Sequence, residues 1–188
     1  MVFKRINILA LLMILGIALP GCSDFNAIFN GKPNHSVAKK GKRPKREAKR
    51  RHKKVPEYAK KYFKWPLFAP VSSGYGPRWG RFHEGIDIDG DFGDSILAAA
   101  PGRVVYSGKL GGYGRLVVIR HDNGFFTAYA HNKKNLVKKG KKVNQGERIA
   151  LVGSSGRSTG SHLHFEIRDK KGTYDPLAFL PSKRYSRR

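Results

Sequence analysis

The sequence has a single cysteine, Cys22, and very few acidic residues. One cysteine cannot form an intramolecular disulfide, so the fold must be stable without a covalent cross-link. Only 13 Asp and Glu stand against 38 Lys and Arg among 188 residues, which gives a formal net charge of +25. Such a charge favours binding to polyanions or anionic lipid surfaces, but it says nothing about the fold.

The chain also lacks a hydrophobic run long enough to span a bilayer comfortably, which takes roughly 20 residues. Its longest apolar stretch, Ile6 to Leu19, follows Lys4 and Arg5, an arrangement typical of a secretory signal peptide over residues 1–21. The stretch ends in Leu19-Pro20-Gly21-Cys22, which resembles the lipobox of bacterial lipoproteins. That resemblance implies cleavage before Cys22 and lipidation of its sulfur; the alternative is a cleaved secretory signal with an unmodified cysteine.

Residues 22–64 form a basic linker. Between Lys32 and Lys64 there are 15 Lys or Arg against two acids, and few large apolar residues. A segment of this composition buries too little surface to offset its ordering entropy, so it is expected to be disordered. It is either a solvated tether or an electrostatic arm on anionic lipid headgroups or on the wall polymer. Nucleic-acid binding is disfavoured because no aromatic stacking platform accompanies the charges.

Residues 65–181 have a different pattern, and residues 182–188 are a basic tail. Short β-rich runs alternate with Gly, Pro and Asn turns, and no apolar stretch keeps a 3.6-residue period. Asp122-Asn123-Gly124 between two such runs is a strong hairpin signal. The domain is predicted to be all-β and antiparallel, a sandwich or a partly open barrel. Its seven predicted strands are Gly85–Ile88, Ser95–Ala98, Gly102–Tyr106, Leu116–Arg120, Phe125–Ala130, Arg148–Leu151 and His162–Arg168.

The sequence contains no HExxH motif, which excludes the metalloproteases that bind zinc through two histidines of one helix. Histidines occur instead in strand patterns. In the run from His162 to Ile167, side-chain alternation puts His162, His164 and Glu166 on one outward face, and apolar residues on a core face. Glu166 is expected to be an exposed carboxylate there, with a role in orienting a ligand as the alternative.

A second run, His83-Glu84-Gly85-Ile86-Asp87, places His83 and Asp87 on one face of an extended strand. Together with His164 they supply three protein ligands for one tetrahedral Zn²⁺. A catalytic zinc site leaves its fourth position to a water molecule, whose pKa it lowers. His131 and His162 remain to take the proton from that water and to stabilise the transition state.

The other histidines are assigned no role in the chemistry. His35 and His52 lie in the basic linker and are expected to be solvated, and His121 at the hairpin corner is structural or exposed. Tyr129 either packs in the core or hydrogen-bonds to substrate or to His131.

The ordered set of motifs resembles the lysostaphin/LytM family of zinc peptidases, M23. It comprises Ser73-Gly74-Tyr75-Gly76-Pro77-Arg78, His83-xxx-Asp87, Tyr129-Ala130-His131 and His162-Leu163-His164-Phe165-Glu166, and the similarity covers about residues 68–181. The resemblance implies an antiparallel β-domain with a groove over the metal. It implies zinc on His83, Asp87 and His164, and catalytic roles for His131 and His162.

The sequence therefore predicts a zinc metalloendopeptidase that cuts peptide cross-links of peptidoglycan. It is expected in the cell envelope, lipid-anchored to the outer membrane and facing the periplasm of a Gram-negative bacterium. One alternative is a non-catalytic activator of other wall hydrolases, since some family members that lost zinc ligands act in that way; all five site positions are intact here. Another is a lipid-anchored tether between membrane and wall.

Overall fold

The computed structural model describes Ile28 and residues 55–59, 62–78 and 80–182. The predicted signal peptide, Cys22, His35, His52 and most of the basic linker and tail lie outside the described residues. No helix within the described part of the chain is long and apolar enough to cross a membrane.

The described chain from residue 55 onward is built of short antiparallel strands, which confirms the all-β prediction. Short 3-10 turns occur at Glu57–Ala59, Gly111–Tyr113 and Pro176–Ala178. The strands are β1 (Val71–Ser73), β2 (Gly76–Arg78), β3 (Arg81–His83), β4 (Ile86–Asp89), β5 (Ser95–Leu97), β6 (Gly102–Leu110), β7 (Gly114–Arg120), β8 (Phe126–Ala130), β9 (Lys134–Asn135), β10 (Lys142–Val143), β11 (Arg148–Leu151), β12 (His162–Asp169) and β13 (Gly172–Tyr174).

The main sheet has the strand order β1-β4-β12-β8-β7-β6-β10, with β13 paired to one end of β12. A three-stranded sheet, β5-β11-β9, and the β2-β3 hairpin complete the described architecture. Strand β12 lies between β4 and β8, and both neighbours run antiparallel to it. This order brings together segments that are about 30 to 80 residues apart in the chain.

The hairpin predicted at Asp122-Asn123-Gly124 joins β7 to β8. Arg120 pairs with Phe126, and the backbone N–H of His121 donates to the carbonyl of Phe125 at 2.9 Å. Gly124 has a φ of 83°, a left-handed conformation that glycine adopts without steric cost. The turn residues Asp122-Asn123-Gly124 therefore mark the hairpin correctly, and the turn fixes which residues of β7 and β8 pair.

The two faces of β12 differ from the prediction in one respect. Leu163, Phe165 and Ile167 are fully buried in the main core, as expected. The opposite face of the sheet is buried as well: it has a second cluster of buried apolar residues, Leu110, Leu116, Val118, Phe126, Ala128 and Ala130, and Glu166 and His164 on this face are 0% and 8% exposed. The expectation that this face points outward to water is therefore wrong.

All seven predicted strands are present; Arg148–Leu151 has the predicted ends, and the ends of the others shift by at most four residues. Strand β6 runs on to Leu110 because a register shift between Val104 and Tyr106 lets pairing with β7 continue. The strands that the sequence missed are two or three residues long, too short to show alternation. The single extended strand predicted through His83 and Asp87 is wrong, since His83 ends β3 in the hairpin and Asp87 lies on β4 of the main sheet.

The core begins before Trp65, the predicted first residue of the domain. Ala59 and Phe63 are fully buried in the main core. The ring of Phe63 makes edge contacts with Phe125 and Phe179, with centroids 6.2 and 5.7 Å away. The last residues assigned to the linker thus pack with the domain.

Candidate active site

The site is built where β3, β4 and β12 meet. Asp87 on β4 pairs directly with His164 on β12, and paired residues of an antiparallel sheet present their side chains on the same face. Strand β3 brings His83 over this pair. Nε2 of His83, Oδ1 of Asp87 and Nδ1 of His164 are 2.9 to 3.1 Å from one another.

These three atoms fit the requirements of a zinc ion. Zinc accepts histidine nitrogen and carboxylate oxygen at about 2.0–2.2 Å, so ligands of a tetrahedral ion lie about 3.3 Å apart. The observed separations are close to that spacing. The same three residues form the group of His and Asp side chains whose geometry suits a metal ion.

Arg78 holds the other oxygen of the Asp87 carboxylate. Its guanidinium donates to Oδ2 at 3.1 Å, which leaves Oδ1 directed at the two histidines. Burial acts to raise the pKa of Asp87, but the interactions of its carboxylate with His164 and His83 outweigh burial and hold the pKa well below its usual range. Asp87 is therefore a carboxylate at neutral pH, the form in which it binds metal.

Two groups contact Nδ1 of His83: the carbonyl oxygen of Gly74, at 2.7 Å, and the guanidinium of Arg78. The carbonyl only accepts, so it favours hydrogen on Nδ1 and a lone pair on Nε2, which is the tautomer that a metal on Nε2 requires. The guanidinium only donates, so it favours the opposite tautomer. The motif Ser73 to Arg78 thus orients one candidate ligand and the carboxylate of another.

His131 follows the end of β8 and lies beside the three candidate ligands. Its ring centroid is 5.8 Å from that of His164 and 4.9 Å from that of His162. Its Nδ1 donates to the carbonyl of Ser155 at 2.7 Å, so the lone pair is on Nε2. Burial lowers the pKa of His131 to about 4, which keeps the ring neutral near pH 7.

The backbone of His131 is in an uncommon conformation. Its φ is 64°, the one positive value among the non-glycine residues that the structure describes. Such residues cost free energy and occur disproportionately at functional sites. This conformation turns the chain away from the direction of β8, and the imidazole then contacts the carbonyl of Ser155.

His162 begins β12 and completes the group of five. Its Nδ1 donates to the carbonyl of Gly160 at 3.1 Å, and its Nε2 lies 3.8 Å from Oδ1 of Asp87. His131 and His162, which are not among the three candidate ligands, therefore each have an Nε2 lone pair, and both rings lie beside those ligands. The structure brings all five residues predicted for the site into one place, while Cys22 lies outside the described residues.

Of the two expectations for Glu166, that of an exposed carboxylate is wrong. Its side chain is fully buried rather than exposed, and its Oε1 accepts from Nε2 of His164 at 3.1 Å. Tyr113 donates to the same oxygen at 2.8 Å, and Arg168 donates to Oε2 at 3.0 Å. Without a metal, burial acts to lower the pKa of His164, but its hydrogen bonds to Asp87 and Glu166 outweigh burial and raise that pKa to about 9, so zinc binding would have to displace the hydrogen on Nδ1.

Three residues of the site were given no role from the sequence. Arg78 ends the motif that begins at Ser73, but the spacing along the sequence did not show that its partner is Asp87. Tyr113 and Ser155 lie in glycine-containing turns, and no local signal marks them.

Two other residues prove structural. Tyr129 is a core residue whose hydroxyl accepts from the backbone N–H of Ala99, and His121 is buried between the Pro101 carbonyl and Thr127.

Comparison with known proteins gives the class of protein that this fold and site define. A family model described as peptidase family M23 matches residues 81–176, just over half of the chain, and the chain belongs to this family. The resemblance drawn from the motifs is thereby confirmed.

Two relatives match close to two thirds of this chain. Murein hydrolase activator NlpD of Escherichia coli K12 is 43% identical over 122 residues, which make up 64% of this chain and 32% of that protein. Outer membrane antigenic lipoprotein B of Haemophilus influenzae is 45% identical over 120 residues, 63% of this chain and 29% of that protein. The chain thus spans about a third of the length of these relatives.

A solved structure shares the fold. A zinc containing peptidase from Vibrio cholerae superposes with a TM-score of 0.59 at 34% identity, covering 65% of this chain and 41% of that one.

Proposed function

We propose that this protein is a zinc-dependent endopeptidase that hydrolyses peptide cross-links of peptidoglycan. The observation that carries the proposal is the convergence of His83 Nε2, Asp87 Oδ1 and His164 Nδ1 within 3.1 Å of one another. His131 and His162 lie beside these atoms. Membership of a peptidase family supports the same reaction.

The three converging residues would hold the metal. Bound there, zinc would supply a Lewis acid that polarises a peptide carbonyl and makes water nucleophilic near neutral pH. Arg78 orients the Asp87 carboxylate by binding its second oxygen. The carbonyl of Gly74 keeps the Nε2 lone pair of His83 directed into the site.

His131 and His162 carry the proton transfers. Each has its Nδ1 hydrogen committed to a backbone carbonyl, so each offers Nε2 as the proton acceptor. One of them takes the proton from the attacking water and passes it to the leaving amine. The other stabilises the transition state from its position beside the three converging atoms.

The substrate and location follow from the relatives. One relative is named as a murein hydrolase activator and another as an outer membrane lipoprotein. We extend this to peptidoglycan as the substrate. We also propose a lipoprotein of the cell envelope that is anchored through Cys22 after removal of residues 1–21, with residues 22–64 mainly a tether and the catalytic domain facing the periplasm.

A second function is favoured by the name of one relative. NlpD of Escherichia coli is called an activator of murein hydrolases, and it is 43% identical to this chain over the matched region. An activator would bind a partner hydrolase and would not need to cleave peptide bonds. A tether between membrane and wall would likewise need no cleavage.

Digestion of purified peptidoglycan by the full-length protein, read by mass spectrometry, separates these functions. The endopeptidase is expected to release new peptide fragments that disappear with a zinc chelator and return when zinc is added back. Asp87→Asn should abolish cleavage because it removes a ligand charge. Asp91→Asn, the same change at an exposed position, should leave cleavage intact.

Absence of cleavage by a zinc-loaded protein would contradict the endopeptidase proposal. The same preparation would then be added to candidate partner hydrolases. Stimulation of their activity would support the activator.

A further inference from the structure

The site histidines share a pattern in which one ring nitrogen is held by a hydrogen-bond acceptor. In three of them the acceptor is a backbone carbonyl: His83 with Gly74, His131 with Ser155 and His162 with Gly160. The fourth, His164, differs, since its Nε2 is held by the carboxylate of Glu166 at 3.1 Å. A carboxylate accepts a stronger hydrogen bond than a carbonyl does.

Glu166 is built into the sheet rather than placed at its surface. It lies two residues beyond His164 on the same face of β12, and it pairs with Ala128 on β8. None of its side chain is exposed. A buried carboxylate is costly unless it is well hydrogen-bonded, and Glu166 has three donors, from His164, Tyr113 and Arg168.

The hydrogen bond to Glu166 decides which nitrogen of His164 is available. Because the carboxylate of Glu166 accepts hydrogen from Nε2, a neutral ring has its lone pair on Nδ1, and the hydrogen that Nδ1 shares with Asp87 in the metal-free protein is the one that zinc would displace. That atom lies 2.9 Å from Oδ1 of Asp87 and 3.1 Å from Nε2 of His83. The tautomer that Glu166 stabilises is thus the one whose lone pair points at the other two candidate ligands.

The ring of His164 also has little room to adopt another orientation. A Cβ built on Gly85 would lie 3.0 Å from Cε1 of His164 and 3.0 Å from Cγ of Glu166. The backbone of Gly85 therefore covers the pair from the β4 side. His164 itself is only 8% exposed.

We propose that Glu166 is a positioning residue for the metal: it fixes His164 with hydrogen on Nε2 and coordination through Nδ1, and it strengthens zinc binding through its charge. Tyr113 and Arg168 keep the carboxylate in place. The inference rests on the proposed zinc site. Acceptors that hold metal-bound histidines in this way typically contribute about 10- to 100-fold to metal affinity.

The first test is the zinc affinity of the full-length protein, measured by competition with a chromophoric chelator at fixed pH. Glu166→Gln, which keeps the size of the side chain and removes its charge, is expected to weaken zinc binding about 10- to 100-fold. Glu147→Gln, the same change in the ion pair between Glu147 and Lys141, should leave the affinity unchanged. Equal affinities of Glu166→Gln and the native protein would overturn the proposal.

The second test needs no variant and so does not depend on how well Glu166→Gln folds. NMR of the native zinc-loaded protein, with ¹⁵N-labelled histidine, locates the ring hydrogen of each ligand. The proposal requires hydrogen on Nε2 of His164 and metal on Nδ1, and a purely structural role for Glu166 makes no such demand. Hydrogen on Nδ1 of His164 would refute it.

The outcomes separate this inference from the proposed function. A protein that binds zinc and shows the Glu166 effect, but does not cleave peptidoglycan, supports the inference and contradicts the endopeptidase. A protein that cleaves peptidoglycan in a zinc-dependent way, but whose zinc affinity is unchanged by Glu166→Gln, supports the endopeptidase and contradicts the inference. Failure of the native protein to bind zinc overturns both.

Discussion

Gly85 lies so close to strand β12 that a Cβ at this position would come within 2.3 Å of the carbonyl oxygen of Phe165. The close approach lets the chain pass from β3 to β4 over β12 between His83 and Asp87. Only glycine leaves this space free, because the neighbouring atom belongs to the backbone and cannot rotate away. The close packing of the chain against β12 therefore requires glycine at position 85, between the candidate ligands His83 and Asp87.

Gly85→Ala is expected to destabilise the fold by about 2 kcal/mol or more, since the overlap must be relieved by moving β4 away from β12. The same movement separates Asp87 from His164 and should weaken zinc binding. Urea denaturation of the metal-free protein and chelator competition measure the two effects. Gly112→Ala is the matched control, because a Cβ at that position would meet only Cβ of Arg157, at an ordinary contact distance of 3.8 Å; equal behaviour of the two variants would contradict the packing argument.

Substitutions of the five site residues should fall into two groups. His164→Ala is expected to lose both zinc and activity, because it removes one of three converging ligand atoms. His131→Ala and His162→Ala should keep zinc and lose activity by about 100-fold or more, because they remove groups that transfer protons. Zinc content by atomic absorption and the peptidoglycan digest give both readouts. A correctly folded His162→Ala protein without zinc would refute this division of roles.

His121 should make the fold sensitive to mild acid. Burial lowers its pKa from the ordinary 6.5 to about 4, so between these values the unfolded chain binds a proton that the folded protein does not. The stabilising contribution is complete above pH 6.5 and is lost as the pH falls toward 4. At about 1.4 kcal/mol per pKa unit, the loss amounts to about 3 kcal/mol.

His121→Gln is expected to remove that part of the pH dependence, as seen in urea denaturation series from pH 7 to 4. Thr127→Val is the control: it removes the partner that lies 2.8 Å from Nε2 but keeps the imidazole, so its stability should still fall with pH. Parallel stability curves for His121→Gln and the native protein would show that another group is responsible.

Phe63 should contribute strongly to stability although it lies before the predicted domain start. It is fully buried, and Phe63→Ala is expected to cost about 3–5 kcal/mol through the cavity that it leaves. Phe68→Ala is a matched control, because the side chain of Phe68 is 77% exposed and its loss should change stability by less than about 0.5 kcal/mol. Similar urea midpoints for the two variants would argue that the domain begins at Trp65.

Local patterns predicted a large part of this fold and its candidate site. Alternation along β12 depends only on the geometry of an extended chain, so it correctly assigned Leu163, Phe165 and Ile167 to the core and put His162 and His164 on one face. The turn signal at Asp122-Asn123-Gly124 is equally local. Residue chemistry then selected the candidate ligands, because few side-chain types bind zinc.

The alternation of polar and apolar residues along a strand does not show whether the polar face is buried by other parts of the protein. Glu166 was expected in water because its neighbours on that face are polar, but it is fully buried and accepts hydrogen bonds from Tyr113 and Arg168 as well as His164. Likewise, a strand pattern through His83 and Asp87 could not reveal that the two residues belong to different sheets. Both facts depend on segments far away in the chain.

The sequence by itself therefore determined the residue types, the strand periods and the turns, and through the ordered motifs the family. Only the tertiary structure decided that Gly74, Ser155 and Gly160 supply carbonyls to His83, His131 and His162, and that Glu166 supplies a carboxylate to His164. The physical reason is that a hydrogen bond depends on positions of about 3 Å precision. Such precision arises only after distant strands have packed together.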